Sequence, residues 1–123
     1  MIGIDIVNIE RFEKFLKRKN ALKKYLSEDE MKLIKSPSTA AGFFAAKEAI
    51  SKALKTGIGT SCSFHDIRIY KTEKNAPYFT LTKNIIKRFN ITETSLSITH
   101  DGGFAIAVAI IIHKNEISLP ISH

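Results

Sequence analysis

Glu48 and Lys52 stand four residues apart in the stretch Ala45-Ala-Lys-Glu-Ala-Ile-Ser-Lys-Ala-Leu54. At helical spacing that offset puts a carboxylate and an ammonium side by side on one face. A carboxylate can hold a cation and an amine can hold a phosphate, so the pair suggests phosphate chemistry. A third charge points the same way. Asp5 lies inside the apolar run Ile2-Gly-Ile-Asp-Ile-Val7, where burying it is costly unless a metal or a partner charge compensates.

Each signal also has a plain structural reading. Glu48 and Lys52 alone are an exposed helix pair worth about 0.2–0.5 kcal/mol. Asp5 alone is a helix cap or a sheet-edge residue. His100, which closes Leu96-Ser-Ile-Thr-His, is alone a strand-end or turn histidine. Thr56-Gly-Ile-Gly59 is by itself a helix stop and a bend, since a short glycine loop is weak support for phosphate binding. The four together carry more weight than any one of them.

These groups need elements to hold them, and the pattern of the chain is α+β, an antiparallel sheet against one long helix with shorter helices. Residues 2–7 read as a first strand, and Asn8 can cap the helix that follows. Ser27-Glu-Asp-Glu30 is a capping box for a short helix to about Ile34. Ser36-Pro37 breaks that helix, and the long one runs from about Ser38 to Lys55, with Gly57 placed to end it in a left-handed turn. Ile67–Lys71 and Tyr78–Leu81 form a hairpin, and Asn84–Phe89 a short amphipathic helix. Leu96–His100 and Phe104–Ile112 are strands joined by the tight-turn composition Asp101-Gly-Gly103. Residues 114–123 lack periodicity and read as a loosely held tail.

Size and composition fit one domain over residues 1–123. The longest apolar run, Phe104 to Ile112, is far short of a membrane span. No leader-like pattern opens the sequence, so a cytoplasmic protein is the expectation. The single cysteine, Cys62, gives neither an internal disulfide nor a zinc cluster. The net charge of +7 is concentrated. Between Arg11 and Lys24 seven basic side chains face one acid, Glu13, with Phe12, Phe15, Leu16 and Leu22 on an apolar side. The segment reads as a basic amphipathic helix or helix pair, a surface for an acidic partner or merely a solvated face.

The residues resemble a known family. Gly3-Ile-Asp-Ile-Val7 with Arg11, Phe44-Ala-Ala-Lys-Glu-Ala49 with Lys52-Ala, Thr56-Gly-Ile-Gly59, Ser63-Phe-His-Asp-Ile67 and Ser97-Ile-Thr-His100 look, in that order, like the holo-acyl-carrier-protein synthases. These are the short group of the 4′-phosphopantetheinyl transferases. The resemblance spans residues 2–112. It implies magnesium-dependent transfer of the phosphopantetheine arm of coenzyme A to a serine of apo acyl carrier protein, for fatty acid biosynthesis. It further implies Asp5, Glu48 and Asp101 as metal ligands and Glu48, Lys52 and His100 as the catalytic set. Lys47, Ser51, Lys52, Gly57, Gly59 and His100 are implied to hold the coenzyme, and Arg11, Lys14 and Arg18 to dock the acidic carrier. The serine proton goes to Glu48 through water, to His100 or to a metal-bound hydroxide, three choices the residues leave open. A cytoplasmic homotrimer with sites between subunits is also implied. One departure stands out: Phe43 occupies a position where many members carry arginine.

A non-catalytic basic module for an acidic carrier or nucleic acid is the rival reading. It explains the charge but leaves Asp5 and Glu48 without purpose, and no nucleic-acid motif is present. The expectation is therefore no nucleic-acid and no membrane partner.

Overall fold

The computed structural model describes residues 1–114; of the tail, all but Lys114 lies outside the described residues. Strand β1 (Ile2–Asn8) leads into helix α1 (Ile9–Leu16), a 3-10 turn at Leu22–Lys24 and the short helix α2 (Glu28–Met31). Helix α3 (Pro37–Ala53) follows, then a 3-10 turn at Phe64–Asp66 and the hairpin β2 (Ile67–Lys71) and β3 (Pro77–Leu81). Helix α4 (Lys83–Phe89) and strands β4 (Ile91–Asp101) and β5 (Phe104–His113) complete the chain.

β5 is the middle strand of an antiparallel sheet ordered β1-β5-β4. In-line pairing puts Asp5 opposite Ala107 and Ala107 opposite Ile98, so these three share a face. α3 packs on that face by small residues. Ala41, Ala45, Ala49 and Ala53, one ridge of the helix, meet Ala105, Ala107 and Ala109 of β5, all fully buried. At Gly3 the approach is closest: a β-carbon there would overlap the Ala49 carbonyl oxygen and lie 2.6 Å from the Ala53 nitrogen. The two backbones that carry Asp5 and Glu48 are thus held in direct contact.

The opposite side of α3 faces β2, β3 and α2. Phe43, Ile50, Ile67, Ile69, Phe79 and Ile85 are buried there. An aromatic cluster closes the end near α1, with ring centroids 5.2 Å apart for Phe12 and Phe44 and 5.4 Å for Tyr25 and Phe44. The outer face of the three-stranded sheet carries Ile2, Ile4 and Ile6 at 69, 61 and 59% exposure.

Several sequence expectations need correction. The basic helix ends at Leu16; Lys17–Asn20 form a turn in which Asn20 takes a positive φ of 58°. Arg18 is therefore not on the helix that carries Arg11 and Lys14, and its guanidinium sits 6.0 Å from the Phe15 ring. α3 stops two residues before Lys55, and Lys55 itself makes the left-handed turn at φ 62°. Gly57 makes a second one, and its N–H still closes the helix end on the Ser51 carbonyl at 3.2 Å. β4 begins at Ile91, because a register shift between Ile91 and Glu93 and the polar run Thr92-Glu-Thr-Ser95 disguise its first half. Gly102 and Gly103 both have positive φ, the two-residue hairpin that the composition predicts.

Candidate active site

β1 delivers Asp5 and α3 delivers Glu48 and Lys52 to the same place. The Lys52 ammonium donates to Asp5 Oδ1 at 2.7 Å and reaches the Ile4 carbonyl at 3.4 Å. Asp5 keeps 15% of its side-chain surface and Lys52 51%, so the carboxylate is walled in while the amine hangs in solvent. Burial raises the Glu48 carboxyl above its ordinary range, the Asp5 charge adds to the rise, and Lys52 opposes it. Two carboxylates near enough to repel, with one ammonium drawn onto Asp5, are a site that seeks positive charge. Oxygen donors alone suit a hard divalent cation.

Both carboxylates open on a cleft of about 440 Å³. Asn8 caps α1 by accepting from the Arg11 N–H at 2.9 Å, which starts the helix where Arg11 joins the cleft rim. Phe12, Phe15 and Phe44 form the apolar wall. The sequence reading gave Phe12 and Phe15 only as the apolar side of a helix and gave Phe44 no role. Its position four residues before Glu48 is the signal that places it on the same face. Lys14 lies on the neighbouring surface with Asn8, Glu10 and Arg11.

Other candidates lie elsewhere. Lys47 is fully buried on the far side of α3. Its ammonium donates to the Tyr25 carbonyl at 2.7 Å, Glu30 Oε1 at 3.0 Å and the Phe64 carbonyl at 3.0 Å. With all three protons engaged it has none for a coenzyme phosphate. Desolvation pulls its pKa down and Glu30 holds it up. Ser51 is buried too, and its hydroxyl is spent on the Glu48 carbonyl at 2.7 Å. Phe43 is core. Gly57 and Gly59 sit in the loop after α3 with open space beside them.

His100 shares the inner sheet face with Asp5 but stands two strands away, beyond β5 and two residues along, roughly 12 Å by strand geometry. Its Nε2 lies 2.9 Å from the Ser38 carbonyl oxygen. Asp101 is at the hairpin end, opposite Phe104 and on the outer face. Among the described residues no three His, Cys, Asp or Glu side chains converge as a metal cluster, so Asp101 does not join Asp5 and Glu48 within one chain. Cys62 is buried, its thiol pushed up to about 11 first by desolvation.

The family model for the 4′-phosphopantetheinyl transferase superfamily matches residues 1–109. A holo-[acyl-carrier-protein] synthase of Nitratiruptor sp. is 55% identical over 114 residues, 91% of this chain and 98% of the relative. One from Campylobacter jejuni is 57% identical, covering 90% of this chain and 98% of its own. Among solved structures, the Helicobacter pylori holo-[acyl-carrier-protein] synthase in complex with coenzyme A superposes with a TM-score of 0.88 at 53% identity, over 91% of this chain and 100% of that one. The Bacillus anthracis synthase in complex with CoA (3′,5′-ADP) gives 0.78 at 34%, over 92% and 96%. Motifs, fold and relatives agree, and the chain belongs to the holo-[acyl-carrier-protein] synthases of the 4′-phosphopantetheinyl transferase superfamily.

Proposed function

We propose that this protein moves the 4′-phosphopantetheine arm of coenzyme A onto a serine hydroxyl of an apo acyl carrier protein and releases 3′,5′-ADP. The observation that carries the reading is the triad Asp5, Glu48 and Lys52 at one cleft, with Arg11 on its rim. Phosphoryl transfer asks a protein mainly for positioning and charge, not for a nucleophile, and this cleft offers both.

Asp5 and Glu48 would hold Mg²⁺, whose preference for one or two carboxylates plus phosphate and water matches the pair. When bound, that cation draws charge from the pyrophosphate oxygens. Lys52, half exposed on a long stem, neutralises phosphate oxygens from its own side. Phe12, Phe15 and Phe44 keep water from one wall of the cleft. Gly57 and Gly59 leave the backbone open to a nucleotide. Arg11 and Lys14 on α1, and Arg18 on the turn after it, form a basic surface that attracts an acidic carrier.

A homotrimer is part of the proposal. The exposed isoleucines of β1, together with Phe104, Ile110 and Ile112 of β5, make an exposed apolar face of the kind that marks contact with another chain. A neighbouring subunit could then bring His100 to a cleft that lacks it in its own chain. The compartment is read as the cytoplasm, with fatty acid biosynthesis as the use of the holo carrier. Among the described residues no helix is long and apolar enough to cross a membrane.

Intact-mass spectrometry of apo carrier with this protein, coenzyme A and Mg²⁺ tests the reading. A gain of about 340 Da that EDTA abolishes is the expected result; no gain with a folded carrier would overturn it.

A further inference from the structure

His100 is exposed, yet one of its two ring nitrogens is already committed. Nε2 lies 2.9 Å from the carbonyl oxygen of Ser38 in the first turn of α3. A carbonyl only accepts, so Nε2 carries the hydrogen and donates it. A neutral imidazole has a single N–H, which leaves Nδ1 as a bare acceptor. The ring lies close over position 42, which has no side chain. A β-carbon on Gly42 would stand 3.1 Å from His100 Nε2 and 3.0 Å from Ile98 Cγ2. That crowding would move the ring off the carbonyl by a few tenths of an ångström. Glycine inside a helix costs roughly 1 kcal/mol against alanine, and this close approach of α3 to β4 is what it serves.

We infer that Gly42 and the Ser38 carbonyl are positioning groups for His100, fixing Nε2–H on α3 and presenting Nδ1 to the substrate as an acceptor. The consequence narrows the chemistry. A neutral ring held this way has no N–H left for a phosphate oxygen, so Nδ1 takes its hydrogen bond or proton from a hydroxyl or amide: the attacking alcohol, or the pantetheine chain. This rests on the transferase reading for its role, but the ring geometry stands without it.

Long-range ¹H–¹⁵N correlation of the full chain, labelled on histidine and held near pH 8, above the ordinary imidazole range, reads the tautomer directly. The His100→Gln spectrum assigns the signal. The expected result is the Nε2–H form for the unmodified protein and a mixture for Gly42→Ala. An Nδ1–H form or an even mixture in the unmodified protein overturns the inference. Two further variants separate the nitrogens. His100→Gln keeps a donor that reaches Ser38, so it should melt like the parent yet lose on the order of 10²-fold in kcat with KM for coenzyme A held. His100→Asn, too short for Ser38, should lose both melting temperature and rate. A His100→Gln protein with the full rate overturns the role of Nδ1. Absence of transfer by the unmodified protein would overturn the transferase reading and the Nδ1 role with it, while the tautomer spectrum would still report the Gly42 lock.

Discussion

The Lys52 ammonium rests on Asp5 Oδ1 at 2.7 Å, tying the long helix to the first strand at the mouth of the cleft. The amine is thus where a cation would be wanted, and it shares that carboxylate with anything else positive that arrives. Because Lys52 is half exposed, the pair contributes less than about 1 kcal/mol to stability. Lys52→Met should therefore leave the urea midpoint almost unchanged while lowering kcat for carrier modification by roughly 10²–10³-fold. A variant that unfolds early but keeps its rate would make Lys52 a structural tie only.

Glu48 has a pH signature in the metal-free protein. Its folded pKa is raised, chiefly by burial and then by Asp5. An acid held more tightly in the folded state costs stability above that pKa, and the cost is recovered as pH falls through it. Asp5→Asn removes the like charge and should bring the Glu48 midpoint down toward the ordinary glutamate range. Carboxylate ¹³C titration checks this; an unmoved midpoint would mean that the two charges do not feel each other.

The buried pair Glu30 and Lys47, 3.0 Å apart, binds α2 to α3, and Glu30 Oε2 also accepts from the Ile69 N–H at 2.8 Å. Lys47→Met should cost about 3–5 kcal/mol in urea denaturation, since it strands a buried carboxylate. Glu30→Gln with Lys47→Met should cost less than the single change. At a temperature where the variant is folded, KM for coenzyme A should match the parent. A raised KM would return Lys47 to the coenzyme site.

Gly3→Ala forces a methyl onto the Ala49 carbonyl. Overpacking of this kind costs about 1–3 kcal/mol, and it separates the strand of Asp5 from the helix of Glu48. Loss of stability together with a lower rate is the expected outcome; a thermal melt beside the mass assay reads both.

Ile4→Asp places a charge in the middle of the apolar outer face, at a residue 61% exposed in one chain. Light scattering should show the proposed trimer giving way to monomers, with transfer lost at the same time. A trimer that survives the change would put the subunit contact elsewhere.

Much of the fold was legible because its signals are local. The Ser27 capping box, the Asn8 cap and the glycine pair of the last hairpin act within a few residues. The convergence of Asp5, Glu48 and Lys52 was legible because one charge stood in an apolar strand and the other two on one helical face. The burial of Lys47 was not legible although its neighbours mark it. Phe43, Lys47 and Ile50 fall on one stripe of α3, and all three are buried; the lysine follows the stripe, not the adjacent Glu48. The partners that hold it, Tyr25, Glu30 and Phe64, are distant in sequence and give no local sign. The same holds for His100, whose tie to Ser38 spans 62 positions. The first half of β4 escaped because its residues are polar and its register shifts.

The in-line pairing of Asp5, Ala107 and Ile98 has a bearing on how this chain can change length. Adjacent strand positions point to opposite faces. Inserting or deleting one residue in β1 would therefore turn Asp5 outward among the isoleucines and send Ile4 or Ile6 into the cleft. The hairpin turn at 72–76 tolerates added residues, but β1 can change length beside Asp5 only by even steps.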